Sequence, residues 1–337
     1  MSAAATPHWF PQHYDAASDN VLLVARSEAA YRATAFLDER SLTPATPSHL
    51  VPWTTVAGAV PADARRDIQY IFHIGHVGST LISRLLGELP EVLALREPQI
   101  LRDFSACLAE ARWEPESVPA RLDALAALLS RTFRPEQRAM AKASSFVSEI
   151  AAELVPAGSR TLLLYAEPER YIANIVAGPN SREEMRANAT SRLERLHRRT
   201  GTRRWLLSDL SGGQTIAMAW ACEMTSLLQA SDRLGAKRVM WLDFDAFLAK
   251  PASWLGRLAV FFGLDATAAE ALATHPLMGR YSKAPEYEYD AALREEVLAE
   301  ARREHGTAIT EGLRWLEQAA AENEAVARCL DAAAAAS

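Results

Sequence analysis

Lysine is scarce in this chain of 337 residues: Lys142, Lys237, Lys250 and Lys283 are the only lysines among 36 basic side chains, the rest being arginine. An ammonium point charge and a planar guanidinium suit different anions, so each of the four lysines is worth comparing with any anion-binding motif. Cysteine is scarcer still. Cys107, Cys222 and Cys329 lie more than a hundred residues apart, with no CxxC and no Cys/His pair. That spacing excludes a disulfide framework and a zinc site and fits a reducing cytoplasm.

Long apolar runs are also missing. No segment nears the roughly 18 uninterrupted apolar residues of a membrane span. The N-terminus MSAAATPHWFPQHYDAASD lacks a basic region followed by an apolar core, so a cytoplasmic protein without membrane contact is expected. Nor is there a surplus of basic charge. The net charge is −6 and no nucleic-acid-reading motif is present, which argues against nucleic acid as a partner. What remains, 49% apolar residues, is the composition of a soluble folded protein.

The early prolines Pro7, Pro11, Pro44, Pro47, Pro52 and Pro61 surround one amphipathic stretch near residues 25 to 40. Residues 1–66 therefore read as a loosely structured N-terminal extension with a helix. From residue 67 the pattern changes to short apolar runs separated by helices. Strands are expected at 67–75, 92–95, 138–142, 160–165 and 238–242. Helices are expected at 79–89, 98–111, 119–132, 145–154, 168–177, 181–200 and 212–234. Strands alternating with helices imply a three-layer arrangement, a parallel sheet with helices on both faces. The core spans 67–290, and residues 291–337 form a C-terminal helical extension.

Between the first of these strands and its helix lies Gly75-His76-Val77-Gly78-Ser79-Thr80-Leu81. Backbone N–H groups and the positive end of the helix dipole converge in such a turn, which makes it an anion site. Gly75 and Gly78 allow the tight turn, and Ser79 and Thr80 add hydroxyl donors. The simpler reading is that glycine and hydroxyl residues only cap a helix here. A Walker A loop needs Lys after its last glycine, and no register supplies one.

The segment HIGHVGSTLISRLL at 73–86 resembles the PKSGTTWL loop of the sulfotransferases that use 3′-phosphoadenosine 5′-phosphosulfate (PAPS), with Gly78, Ser79 and Thr80 in the Gly-Thr-Thr positions. RVMWLDFDAFLAKPASWLGRLAVFFGL at 238–264 resembles the late strand-helix block of the same family. The resemblance implies a fold like that of the P-loop nucleoside triphosphate hydrolases, with Gly75 to Leu81 around the 5′-phosphosulfate. It also implies sulfuryl transfer from PAPS to a hydroxyl or amine of a small-molecule, glycan or peptide acceptor, with no metal.

Three positions depart from the family pattern. The loop cation is replaced by His76, which either shares that duty as an imidazole or is a polar loop residue. At the 3′-phosphate site, the family's Arg and Ser correspond to Ala166 and Asn174. Arg170, Arg182, Arg186, Arg280 and Lys283 are the candidates for the missing cation. Finally, residues 181–204 carry eight arginines against three glutamates, either a solvated helix face or a guanidinium rim for an anion.

Glu97 ends the second strand of the core, at the edge where open α/β sheets bind ligands, and is the candidate base. It could equally cap the helix that Pro98 opens. Arg96 is a candidate anion contact. Lys142, at the end of the third strand, could replace the loop cation. Asp243 and Asp245 imitate a Walker B aspartate and keep a magnesium-dependent phosphotransferase open as an alternative. A non-catalytic relative that binds a phosphorylated ligand is the other.

Overall fold

The computed structural model describes residues 6–280 and 288–335. Its strands are β1 (Trp9–Asp15), β2 (Asn20–Ala25), β3 (Ser48–Pro52), β4 (Gln69–His73), β5 (Val92–Arg96), β6 (Arg138–Lys142), β7 (Thr161–Tyr165) and β8 (Val239–Asp243). The α-helices begin with α1 (Glu28–Ala33), α2 (Trp53–Gly58), α3 (Ser79–Glu88), α4 (Gln99–Ala109), α5 (Val118–Leu129), α6 (Ala151–Leu154) and α7 (Pro168–Ala177). They continue with α8 (Pro179–Ala187), α9 (Ala189–Thr200), α10 (Gly212–Leu234), α11 (Phe244–Ala249), α12 (Pro251–Phe262), α13 (Ala266–Ala271), α14 (Ala291–Glu322) and α15 (Glu324–Ala335).

Strands β4 to β8 form one parallel sheet in the order β5-β6-β4-β7-β8. Every residue of β4, β5 and β7 is buried. Successive side chains point to opposite faces, so burial of all of them means that both faces are covered by helices. This is the expected three-layer α/β architecture. The chain leaves β4 for β5 at one edge and later crosses to β7 on the other side. The carboxyl end of β4 therefore lies at the switch point, where such sheets open a crevice.

The long helix α10 forms much of the layer on one face. Its N-terminus is held by a capping box between Ser211 and Gln214. Trp220 on this helix is fully buried and donates its indole N–H to Ala166 O at 2.9 Å. Helix α14 runs close against it: a Cβ on Gly213 would stand 1.9 Å from Ala308 O, so the approach requires glycine.

Residues 6–66 are more ordered than their prolines imply. β1, β2 and β3 form an antiparallel sheet, and Pro11 sits where the β1–β2 register shifts, a place where a strand tolerates proline. The sheet docks on α4. Asp103 accepts the Tyr14 N–H and a His13 ring N–H, both at 2.9 Å. Tyr14, Trp53, Phe104 and Trp113 pack edge-on, with ring centroids 4.7 to 5.9 Å apart. The helix expected at 25–40 is the short α1 followed by a 3-10 turn at Glu39–Ser41.

Two further elements differ. The helix expected at 181–200 is two helices, α8 and α9, broken at Asn188. The one expected at 145–154 starts as a 3-10 helix over Ser145–Ile150 before α6. Among the described residues no helix is long and apolar enough to cross a membrane.

Candidate active site

A cavity of about 610 Å³ opens at the carboxyl end of β4. Its floor is the loop 75–81. Gly75, His76 and Gly78 all take positive φ, at 85°, 54° and 66°. For glycine this is free, whereas for His76 it is a strained conformation held by its surroundings. Gly78 is also pressed against an aromatic ring: a Cβ there would come within 1.9 Å of Phe244.

The loop is fixed at its base by His73. The Gly75 N–H donates to His73 Nδ1 at 2.9 Å, and His73 Nε2 lies 2.8 Å from Ala143 O. A backbone N–H can only donate and a carbonyl can only accept, so the ring is the neutral Nε2–H tautomer. It ties the end of β4 to the end of β6.

Above this base, the first N–H groups of α3 have no acceptor within their own helix. The Thr80 hydroxyl lies among them. It is buried and, among the described residues, has no hydrogen-bond partner, and Thr80 is one of the residues that line the cavity. A buried unpaired hydroxyl is costly unless a ligand or water satisfies it.

His76 is held on three sides. Its carbonyl accepts from Asn174 Nδ2 at 3.1 Å, its Nε2 lies 3.0 Å from Glu184 Oε2, and its Nδ1 lies 3.3 Å from Ser181 Oγ. Burial would raise the Glu184 carboxyl, but the His76 hydrogen bond and the Arg192 charge more than offset it and hold Glu184 below the ordinary range. Asn174 also accepts from Arg294 at 3.2 Å, and Arg294 in turn pairs with Asp245 at 3.1 Å.

Glu97 and Lys142 meet on the opposite side of the loop. Lys142 is 1% exposed and its ammonium bonds Glu97 Oε1. The Glu97 N–H donates to Lys142 O at 2.6 Å, and Ser144 Oγ is 3.4 Å from Glu97 Oε2. Glu97 has a positive φ of 48°, so it is the end of a strand turned back toward the cavity. Both residues line it, with Lys142 directed to the carboxylate.

Of the proposed cofactor residues, Gly75, His76, Val77, Gly78, Ser79, Thr80, Leu81, Asn174 and Arg280 line the cavity. Arg170, Arg182 and Arg186 do not. Arg170 pairs with Asp245 and Glu295, and Arg182 donates to Val176 O at the end of α7. Lys283 lies outside the described residues. Arg96 is no anion contact: buried at 2% exposure, it donates to the carbonyls of Tyr31, Arg32 and Thr34. Burial, with Arg84 nearby, brings its guanidinium down to about 10.

The arginine-rich segment divides: Arg186, Arg198, Arg203 and Arg204 are exposed, and Arg192 lines the cavity. Arg192 and Arg195 turn inward to Glu223, which is 0% exposed on α10. Arg195 and Arg198 also bond Glu149. Asp243 caps α11 by accepting the Ala246 N–H at 2.8 Å, and Asp245 is shared by Arg170 and Arg294. Both acids are thus engaged in holding loops. The sequence gives no signal for Arg102 and Arg294 as lining residues, because neither belongs to a motif.

No protein-family model matches the chain, and no curated protein matches it. Solved structures similar to it are sulfotransferases. A sulfotransferase domain from the curacin biosynthetic pathway is 15% identical with a TM-score of 0.45, covering 77% of this chain and 99% of that one. A sulfotransferase from Mycobacterium avium is 13% identical with a TM-score of 0.39, over 72% and 77% of the two chains. Mouse sulfotransferase complexed with PAP is 11% identical with a TM-score of 0.33, over 74% and 89%. Likeness at this level assigns no chemistry to the chain.

Proposed function

We propose that the cavity binds PAPS and that the protein transfers its sulfuryl group to a hydroxyl or amine of a small-molecule, glycan or peptide acceptor. The observation that carries this reading is the buried Thr80 hydroxyl at the N-terminus of α3, without a partner among the described residues, in a loop with no Walker lysine. The cavity volume falls in the range of about 300–1,000 Å³ common to small-molecule sites. These residues fit the 5′ end of the nucleotide: N–H donors, two hydroxyls and a glycine that leaves the backbone open to close approach.

When bound, PAPS supplies an activated sulfuryl group whose sulfur–oxygen bond to the 5′-phosphate breaks as the acceptor attacks in line. The α3 N-terminus and Thr80 stabilise the charge that gathers on the departing phosphate. His76, oriented by Glu184, stands where the resemblance puts the loop cation. Glu97 takes the acceptor proton, and Lys142 orients its carboxylate and offsets the burial of its charge. On the other side of the loop, Asn174, Arg294 and Arg280 are the groups available to the 3′-phosphate, in place of Arg170 and Arg182.

Isothermal titration with 3′-phosphoadenosine 5′-phosphate tests the reading, with ATP and magnesium as the control arm. Micromolar binding weakened by Thr80→Val is expected. No heat at millimolar nucleotide, or tighter binding of magnesium ATP, would overturn it.

A further inference from the structure

Among the described residues six cations line the cavity, and five meet a carboxylate: Arg40 with Asp38, Lys142 with Glu97, Arg192 with Glu184 and Glu223, Arg280 with Glu288, and Arg294 with Asp245. Arg102 is the exception. Among the described residues it has no acidic group within salt-bridge distance, and its guanidinium lies over the Phe146 ring, 5.1 Å from the centroid. Phe146 lines the same cavity. Stacking occupies the face of a guanidinium and leaves its edge N–H donors for a planar anion.

The sheet order says which part of the cavity this is. Arg102 lies on α4 just beyond Glu97, and Phe146 follows Lys142 at the end of β6. β5 and β6 stand on one side of β4. Asn174, on α7 after β7, and Arg294, bonded to it, stand on the other side. Arg102 therefore shares the half of the cavity that holds the proposed base, away from the groups available to the nucleotide's 3′-phosphate. The acids Asp38, Glu39 and Glu97 line that half too, and the cations Arg40 and Lys142 there are taken up by Asp38 and Glu97, which leaves little net positive charge beside Arg102. Such surroundings admit a singly charged anion more readily than a doubly charged phosphate.

From this geometry we infer that Arg102 recognises a carboxylate on the acceptor, so that the substrates are hydroxy or amino acids in the broad sense: molecules carrying both a nucleophile and a carboxylate. This rests on the transfer reading of the cavity. The guanidinium forks the carboxylate through two N–H donors and thereby presents the nucleophile toward Glu97.

The probe pair is 4-hydroxyphenylacetate and its uncharged amide, titrated into the full-length protein with and without 3′-phosphoadenosine 5′-phosphate. The carboxylate is expected to bind about tenfold or more tighter than the amide. Arg102→Gln should abolish that preference without changing nucleotide affinity, and Arg102→Lys should restore part of it. Equal affinity for the two probes, no binding of either at millimolar concentration, or a preference that survives Arg102→Gln each overturn the inference. So does Arg102→Gln weakening nucleotide binding alone, which would assign Arg102 to the donor. A protein that binds the nucleotide but does not discriminate the probes overturns this inference only. One that discriminates them through Arg102 yet binds no nucleotide overturns the transfer reading only.

Discussion

The ammonium of Lys142, buried at the end of β6, is bonded to the carboxylate of Glu97 at the end of β5. Two charges drawn out of water in this way stabilise little as a pair, but removal of one leaves the other uncompensated. Glu97→Gln and Lys142→Met are therefore each expected to lower the unfolding free energy, the one that leaves a buried charge uncompensated by up to about 3–5 kcal/mol, and the double variant combining them by less than the sum of the two. Urea denaturation of the three variants checks this; additive losses would mean that the two residues do not act as a pair.

Gly78 and Gly212 make a paired test of the loop. Gly78→Ala introduces a side chain at φ 66° and pushes a methyl into Phe244, an expected loss of about 2–5 kcal/mol. Gly212→Ala meets nothing within 4 Å at the start of α10, and its stability should change by about 1 kcal/mol or less. Thermal melts of both variants decide the matter, and equal melting temperatures would contradict the loop packing described above.

Glu223 governs an acid-sensitive part of the stability. Burial would raise its carboxyl, yet Arg195 and Arg192 more than offset this and hold it below the ordinary value of 4.5. Glu184 and Glu149 are lowered as well, against the same opposing burial. A carboxyl with a depressed folded value contributes stability above its unfolded value and loses it as pH falls through the folded one. Stability should thus be flat near neutrality and fall below about pH 4.5. Glu223→Gln should be destabilised at pH 7 with a shallower acid limb. An unchanged limb in chemical denaturation from pH 7 to pH 3 would show that the network carries no proton linkage.

The three cysteines should behave as core residues. All are buried and free. Burial brings the Cys107 thiol up to about 11 and raises Cys222 and Cys329 too. Since the thiolate is the reactive form, a thiol reagent should label none of them rapidly in the native protein and all three in denaturant. Fast labelling of one cysteine without unfolding would place it outside the core.

The strands of the central sheet were legible because a strand covered on both faces is an unbroken apolar run, as in QYIFH, VLALR and TLLLY. The loop after β4 was legible because it interrupts such a run with Gly75, His76, Val77 and Gly78. The N-terminal sheet was not. Its first strand carries Pro11 and is held by Asp103 and Trp113, about 90 residues or more away.

From residue 67 on, the sequence by itself determined the order of strands and helices and the site of the loop, since both depend on the burial period and turn chemistry of neighbouring residues. Only the tertiary structure decided how the charges are shared out. It gave Lys142 to Glu97, turned Arg192 and Arg195 inward to Glu223, and took Arg170 to Asp245. It brought Arg294 to Asn174 across 120 residues and left Arg102 on Phe146. Charge pairing at such separations follows from strand order and helix packing, which no local pattern encodes, and in a chain so poor in lysine it settles which arginines remain for a ligand.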